Sequence, residues 1–136
     1  MLRLTFAMIL ALAAALTGAC GDDDPVTPTE PSPTEITEVF SGTLTPNGGF
    51  THTFEVQRAG AATVRISGLE PSDAVIGLSM GPFSGQACVQ QLARDNAVSG
   101  TSIAGSASSG AFCVRVFDAG GTLTGPVDYE LTVTHF

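Results

Sequence analysis

The sequence predicts an all-β protein built around a single antiparallel β-sandwich of jelly-roll or immunoglobulin-like type, with about eight strands. From residue 36 onward, apolar and polar residues alternate with a period of two, and helical periodicity is almost absent. Clusters of glycine, proline, asparagine and aspartate interrupt this alternation about every 10–12 residues. The alternation predicts that each sheet keeps one face in the core and the other face in water.

The first half of this domain contains four predicted strands. Phe50, His52 and Phe54 alternate with polar residues and give a clear example of the period-two pattern. Asn47-Gly48 precedes this strand and is typical of the positive φ angles of a tight hairpin. The predicted strands are 39–44, 50–56, 63–67 and 74–80, with turns at 46–49, Gly60 and 71–73.

The second half contains four more predicted strands. Segment 88–92 is interpreted as a strand, and 95–100 as the turn that follows it. Segment 102–107 alternates more weakly. The last two strands, 112–117 and 129–135, alternate strongly, and His135 continues the apolar series that Tyr129 begins.

The first 19 residues are typical of a signal peptide and are excluded from the folded domain. Arg3 precedes an apolar run, 4–16, that is shorter than the roughly 20 residues needed to span a bilayer. Gly18-Ala19-Cys20 then resembles the lipobox of bacterial lipoproteins, with Thr17 at the position where that motif usually has leucine. The resemblance implies lipidation of Cys20 and a lipid anchor in the cell envelope, periplasmic or on the outer surface. The alternative is ordinary cleavage after Ala19, which would give a secreted protein with a free cysteine.

Residues 20–35 are predicted to be an acidic, proline-rich, disordered linker. Four prolines and five acidic residues follow Cys20, and Val26 is the only bulky apolar residue. Proline favours extended polyproline II at about 3.1 Å per residue, which gives a spacer of roughly 45 Å. Asp22-Asp23-Asp24 is interpreted as part of this spacer rather than as a metal site, because it lacks the ligand spacing of an EF-hand loop.

Composition excludes several classes of function. The net charge is −8, and the chain has no lysine and five arginines, so a nucleic-acid partner is not expected. The absence of lysine also excludes Schiff-base and Ser-Lys chemistry. With no tryptophan and one tyrosine, the chain is poorly supplied for an aromatic platform that stacks on sugars.

The three cysteines fit an oxidising compartment. If Cys20 carries lipid, Cys88 and Cys113 remain and are expected to pair as a disulfide. Such a bridge would stabilise the fold by about 3 kcal/mol in the chain-entropy model. Two separate buried thiols are the alternative, and no neighbouring histidine or further cysteine completes a metal site with this pair.

The C-terminal block GAFCVRVFDAGG, followed by PVDYELTV at 126–133, is similar to the end of bacterial pre-peptidase C-terminal (PPC-like) domains. Segments 40–44 and 50–56 also match the start of that family, so the resemblance covers roughly 36–136. It implies a compact β-sandwich of the kind appended to secreted proteases, and a carbohydrate-, polymer- or calcium-binding role by family analogy alone. No acidic cluster matches a calcium site residue by residue, so no cofactor is assigned.

No set of residues indicates catalysis. Ser84 lies in GPFSG, which is not a Gly-x-Ser-x-Gly elbow, and the two histidines, His52 and His135, lack a matched carboxylate or third ligand. Asp118 is expected to cap a turn, and Asp128 to face solvent.

Arg65 and Arg115 are expected on polar strand faces, as candidates for exposed ion pairs with Glu55 or Glu130.

The sequence thus predicts a signal peptide at 1–19, a linker at 20–35 and a β-sandwich at 36–136. The expected function is a non-enzymatic envelope lipoprotein that acts as a binding or interaction module, with an envelope protein or a polysaccharide as the partner. The alternative is a carbohydrate- or polymer-binding module, calcium-assisted by analogy with accessory domains of secreted proteases.

Overall fold

The computed structural model describes residues 31–136. The predicted signal peptide, the lipidation site at Cys20 and most of the predicted linker lie outside this range. Within it, no helix is long and apolar enough to cross a membrane.

Residues 31–136 form eight strands in two four-stranded antiparallel sheets, which confirms the predicted β-sandwich. Sheet A has the order β1-β8-β3-β6 and sheet B the order β2-β7-β4-β5. The strands are β1 Ile36–Leu44, β2 Gly49–Val56, β3 Gly60–Glu70, β4 Ile76–Pro82, β5 Leu92–Ala97, β6 Ser102–Ala107, β7 Gly110–Phe117 and β8 Val127–His135.

The chain changes sheet at every connection between these strands except the one from β4 to β5. The two edge strands β1 and β2 are consecutive in the chain and lie in different sheets, as do β5 and β6. Each pair therefore lines one long side of the sandwich.

The core lies between the inward faces of the two sheets. In β8 the residues alternate between buried and exposed or half-buried from Val127 to His135, as the period of two requires. Burying each aliphatic side chain contributes about 1.5–3 kcal/mol. The largest fully buried apolar side chains are Leu44, Val56, Val64, Ile66, Ile76, Leu78, Val114, Val116, Leu131 and Val133.

Strand β4 departs from the prediction of one wet face per sheet. Six of its seven residues are buried, and Ser79 on its outer side is 0% exposed. The long connection 83–91 folds back over this outer face, where the Gln90 side-chain amide donates a hydrogen bond of 3.1 Å to Ser79 Oγ. The carbonyl of Val89 packs against Gly81, where a side chain would not fit. A loop therefore covers the face that alternation assigns to water.

The predicted strand at 88–92 is wrong, and the predicted turn at 95–100 is confirmed only for 98–100, where the Thr101 N–H donates to the Val98 carbonyl. The fifth strand is Leu92–Ala97, and 83–91 is the covering loop, with only an isolated bridge between Phe83 and Cys88. The strand β5 lies at the edge of sheet B, and Arg94, Asp95 and Asn96 on it are exposed. Because a run of exposed polar residues is also typical of a turn, the sequence did not distinguish the two.

The predicted pairing of Cys88 with Cys113 is confirmed. The two sulfurs are bonded at 2.09 Å and join residues 25 positions apart. The bridge fastens the covering loop to the centre of sheet B, because Cys113 lies on β7, between β2 and β4.

The sandwich has two distinct ends. The connections 45–48, 71–75, 98–101 and 118–126 lie at one end, which we call the loop end. At the opposite end, Pro33 and Thr34 lie beside Arg58 and the C-terminal Phe136. Because β1 has nine residues, the two ends are about 30 Å apart. The chain thus enters the domain at the end remote from the four connections.

Candidate functional site

Asp118 ties two connections of the loop end together. Its Oδ2 accepts a hydrogen bond of 2.8 Å from the Asn47 N–H, and its Oδ1 accepts bonds of 2.9 and 3.2 Å from the N–H groups of Thr122 and Leu123. These bonds, above all the one from Asn47, lower the pKa of the Asp118 carboxyl, which keeps it ionised at neutral pH. The predicted role of Asp118 as a turn cap is confirmed.

The turn at 45–48 has the positive φ that the sequence predicts at Asn47, but the predicted tight hairpin is wrong, because β1 and β2 lie in different sheets. Asn47 has a φ of 59°, a left-handed conformation that asparagine adopts more readily than most residues. The Gly48 N–H donates to the Thr45 carbonyl at 2.9 Å, and the Asp118 N–H donates to the Gly48 carbonyl at 3.0 Å. Backbone hydrogen bonds therefore fix this turn against the 118–126 connection.

An open cleft of about 410 Å³ lies at the loop end, between the 71–75 and 118–126 connections. Apolar residues contribute much of its wall, including Pro71, Ala74, Leu123 and Pro126. Val75 in this wall is 43% exposed, and Val98 is 44% exposed. Both valines flank the strand pair Ile76–Ala97, so they lie on neighbouring strand ends. Binding residues lie disproportionately often on loops that a rigid scaffold positions.

Aromatic rings line the long side between β1 and β2. The ring of His52 stacks on Phe40 at 4.8 Å between centroids and contacts Phe50 at the same separation. Phe50 is 52% exposed and lies two residues beyond the 45–48 turn, so an apolar ring is displayed near the loop end.

His52 and Tyr129 are joined by a hydrogen bond of 2.9 Å between Nε2 and the phenolic oxygen. Burial lowers the pKa of His52 and raises the pKa of Tyr129. Both groups are therefore neutral at pH 7, and the contact serves to close the side of the core rather than to hold charge.

His135 lies further along the same side and is 1% exposed. Its Nε2 lies 2.8 Å from Glu38 Oε1, and Phe54 packs against its ring at 5.0 Å between centroids. A shallow depression of about 460 Å³ opens over this pair, lined also by Phe83 and Gln57.

Neither histidine is arranged for nucleophilic catalysis. Within residues 31–136, no serine or cysteine is hydrogen-bonded to either ring, and no group of three metal-ligating side chains occurs. Ser84 Oγ instead exchanges hydrogen bonds of 3.1 Å with the backbone of Ala87, inside an ordinary turn.

The expected ion pairs of Arg65 and Arg115 do not form in the described part of the chain. Glu130 lies in sheet A and accepts a hydrogen bond of 2.9 Å from Ser67, whereas Arg115 lies in sheet B with its guanidinium over the Phe117 ring. Asp128 is exposed, as expected, and accepts a hydrogen bond from Thr43 Oγ1.

The two histidine contacts were missed from the sequence, although one signal was present. His52 and His135 fall in phase with the apolar residues of their strands, which places both rings on inward faces. Their partners, Tyr129 and Glu38, lie 77 and 97 residues away in the chain, so no local pattern indicates them.

No protein-family model matches the chain, and no curated protein matches it. The resemblance to pre-peptidase C-terminal domains therefore stays a prediction. Among solved structures, the fold is similar to that of PliG of Aeromonas hydrophila, described as a periplasmic lysozyme inhibitor of g-type lysozyme. The two are 19% identical, with a TM-score of 0.52 over 71% of this chain and 83% of the neighbour. At this identity the likeness establishes a shared fold.

Proposed function

We propose that this chain is an exported, non-enzymatic module that binds a protein partner in the bacterial cell envelope through its loop end. The observation that carries the proposal is the surface formed there by two exposed apolar residues, Val75 and Val98, and the cleft beside them, which apolar residues line together with Asp73 and two threonines. The 118–126 side of this surface is held by the hydrogen bonds of Asp118, so little ordering entropy is lost on binding.

The position of the loop end supports this proposal. The chain enters the domain at the opposite end, beside Arg58 and Phe136. A lipid at Cys20 and an acidic spacer, both proposed from the sequence, would attach the domain at its opposite end and leave the loop end open to a partner.

The PliG fold suggests which partner to test first. PliG is described as an inhibitor of a g-type lysozyme, so a sandwich of this kind is compatible with binding a protein. We therefore select g-type lysozyme as the first candidate partner. The polysaccharide alternative has little support from the surface, because Phe50 is the only exposed aromatic residue in 31–136.

The test is isothermal titration of the full-length protein, in detergent, with g-type lysozyme. We expect saturable binding that Val75→Asp weakens at least tenfold, because a carboxylate would be buried in an apolar contact. Val39→Asp is the matched control, since Val39 is 60% exposed on β1, on the outer face of sheet A, and should change the affinity less than twofold. Binding that both variants leave intact would contradict the loop end as the contact surface, and no binding would remove lysozyme as the partner.

A further inference from the structure

Arg115 differs from the other arginines of the described domain. Arg58, Arg65 and Arg94 are exposed, whereas Arg115 on β7 is half-buried. Its guanidinium lies 5.3 Å from the centroid of the Phe117 ring, a cation–π contact that restricts the side chain. The charge is thus held in one place rather than spread over many rotamers.

Gly49 makes room for this arrangement. It begins β2, and a Cβ there would lie 2.7 Å from Arg115 Nη2. Thr51, opposite Arg115 in the register of β2 and β7, lines the same space. The arginine therefore extends along β2 toward the loop end.

Arg115 lines one side of an open, polar groove of about 550 Å³. Gln86 and Gln90 of the covering loop form the other wall, and the Cys88–Cys113 bridge fixes that loop to the sheet. No carboxylate lines the groove, and none in residues 31–136 forms an ion pair with Arg115. In a chain with a net charge of −8, the groove itself presents a cation and amide and hydroxyl groups, and two acidic residues, Asp95 and Asp118, line the neighbouring depression beside Phe117.

We propose that the Arg115 groove binds a carboxylate, supplied by an aspartate or glutamate side chain of the protein partner. A guanidinium offers paired N–H donors that match the two oxygens of a carboxylate, and the groove reduces their exposure to water. Gly49 directly follows the 45–48 turn, so the Arg115 guanidinium beside it lies near the loop end. The inference rests on the proposed function for the source of the carboxylate, but the groove can be tested without any partner.

The first experiment maps arginine modification of the full-length protein by phenylglyoxal, using peptide mass spectrometry. Acetate, at constant ionic strength, is expected to slow modification of Arg115 at least threefold and to leave Arg94 unchanged, while the neutral acetamide protects neither. Equal protection of both arginines, or of neither, would overturn the proposal. Inorganic phosphate protecting Arg115 tenfold better than acetate would also overturn it, in favour of a phosphate ligand.

The second experiment uses g-type lysozyme as the probe. Arg115→Gln is expected to weaken binding at least tenfold and Arg115→Lys about threefold, because lysine keeps the charge and loses the paired donors. Arg94→Gln removes the same charge from the same sheet and should change the affinity less than twofold. Equal weakening by the Arg94 and Arg115 variants would contradict a specific site. If lysozyme does not bind while acetate still protects Arg115, the choice of lysozyme fails and the groove stands.

Discussion

At the scale of single residues, the histidines hold the side of the sandwich between β1 and β2. His52 fills the space between Phe40 and Phe50 and reaches Tyr129, while His135 is buried beside Phe54. Both rings contribute by packing, and their buried polar atoms have partners, since the described residues contain no buried side-chain nitrogen or oxygen without a hydrogen bond.

Stability is expected to depend on pH through His52. Burial lowers the folded-state pKa of His52 below 6.5, so the unfolded chain binds a proton more readily under that pH. Its contribution is therefore full above pH 6.5 and is lost as the pH falls toward the folded-state pKa. Thermal melts between pH 7 and pH 5 should show a smaller fall in Tm for His52→Gln than for the wild type. Identical slopes for the two proteins would contradict the assignment.

Gly81 allows the covering loop to lie on β4. A methyl group at this position would overlap the Val89 carbonyl, so Gly81→Ala should destabilise the fold by about 1–3 kcal/mol, the usual range for overpacking. Gly125→Ala is the control, because nothing lies within 4 Å of a Cβ there, and it should stay within about 0.5 kcal/mol of the wild type. Urea unfolding measures both, and equal stabilities would show that the loop is not packed as described.

At the scale of elements, the strongly alternating strands could be predicted, whereas the edge strand β5 could not. In β7 and β8 the inward residues are apolar or aromatic, so the period of two identifies them. In β5 only Ala97 is buried, and Arg94-Asp95-Asn96 has the composition of a turn. The pattern of β4 was visible, but its covered outer face depends on the 83–91 loop, whose position is fixed by contacts distant in sequence.

The Cys88–Cys113 disulfide should stabilise the packing of the 83–91 loop on sheet B. Because the bridge closes a loop of 25 residues, its reduction should cost about 3 kcal/mol. Melts with and without dithiothreitol should differ for the wild type, while Cys88→Ser should be insensitive to the reductant and already less stable. A wild type that melts at the same temperature in both conditions would argue against this contribution.

At the scale of the whole molecule, the sequence predicted the sandwich and also part of the candidate surface. The Asp118 cap and the Asn47 turn follow from local turn chemistry. The proximity of Val75 and Val98 could not be predicted from the sequence, because it depends on the pairing of β4 with β5, and alternation does not specify which strands pair. The Arg115 groove needs the same long-range information, since the 83–91 loop forms one of its walls.

The proposed anchor is a property of the whole chain. Radiolabelled palmitate should enter the wild type and not Cys20→Ala, because the thiol of Cys20 is the proposed attachment point. Cys88→Ser is the matched control and should keep the label. Equal labelling of wild type and Cys20→Ala would remove the anchor and leave the secreted alternative.

The most direct test of partner binding at the loop end is site-specific photo-crosslinking in living cells. A photoreactive residue replaces Val75, Val98 or Val39 in the full-length protein, and adducts are identified by mass spectrometry. Binding at the loop end predicts the same protein adduct from positions 75 and 98, and none from position 39, which is on the outer face of sheet A. An adduct from position 39 alone, or no protein adduct from positions 75 and 98, would contradict the proposed function.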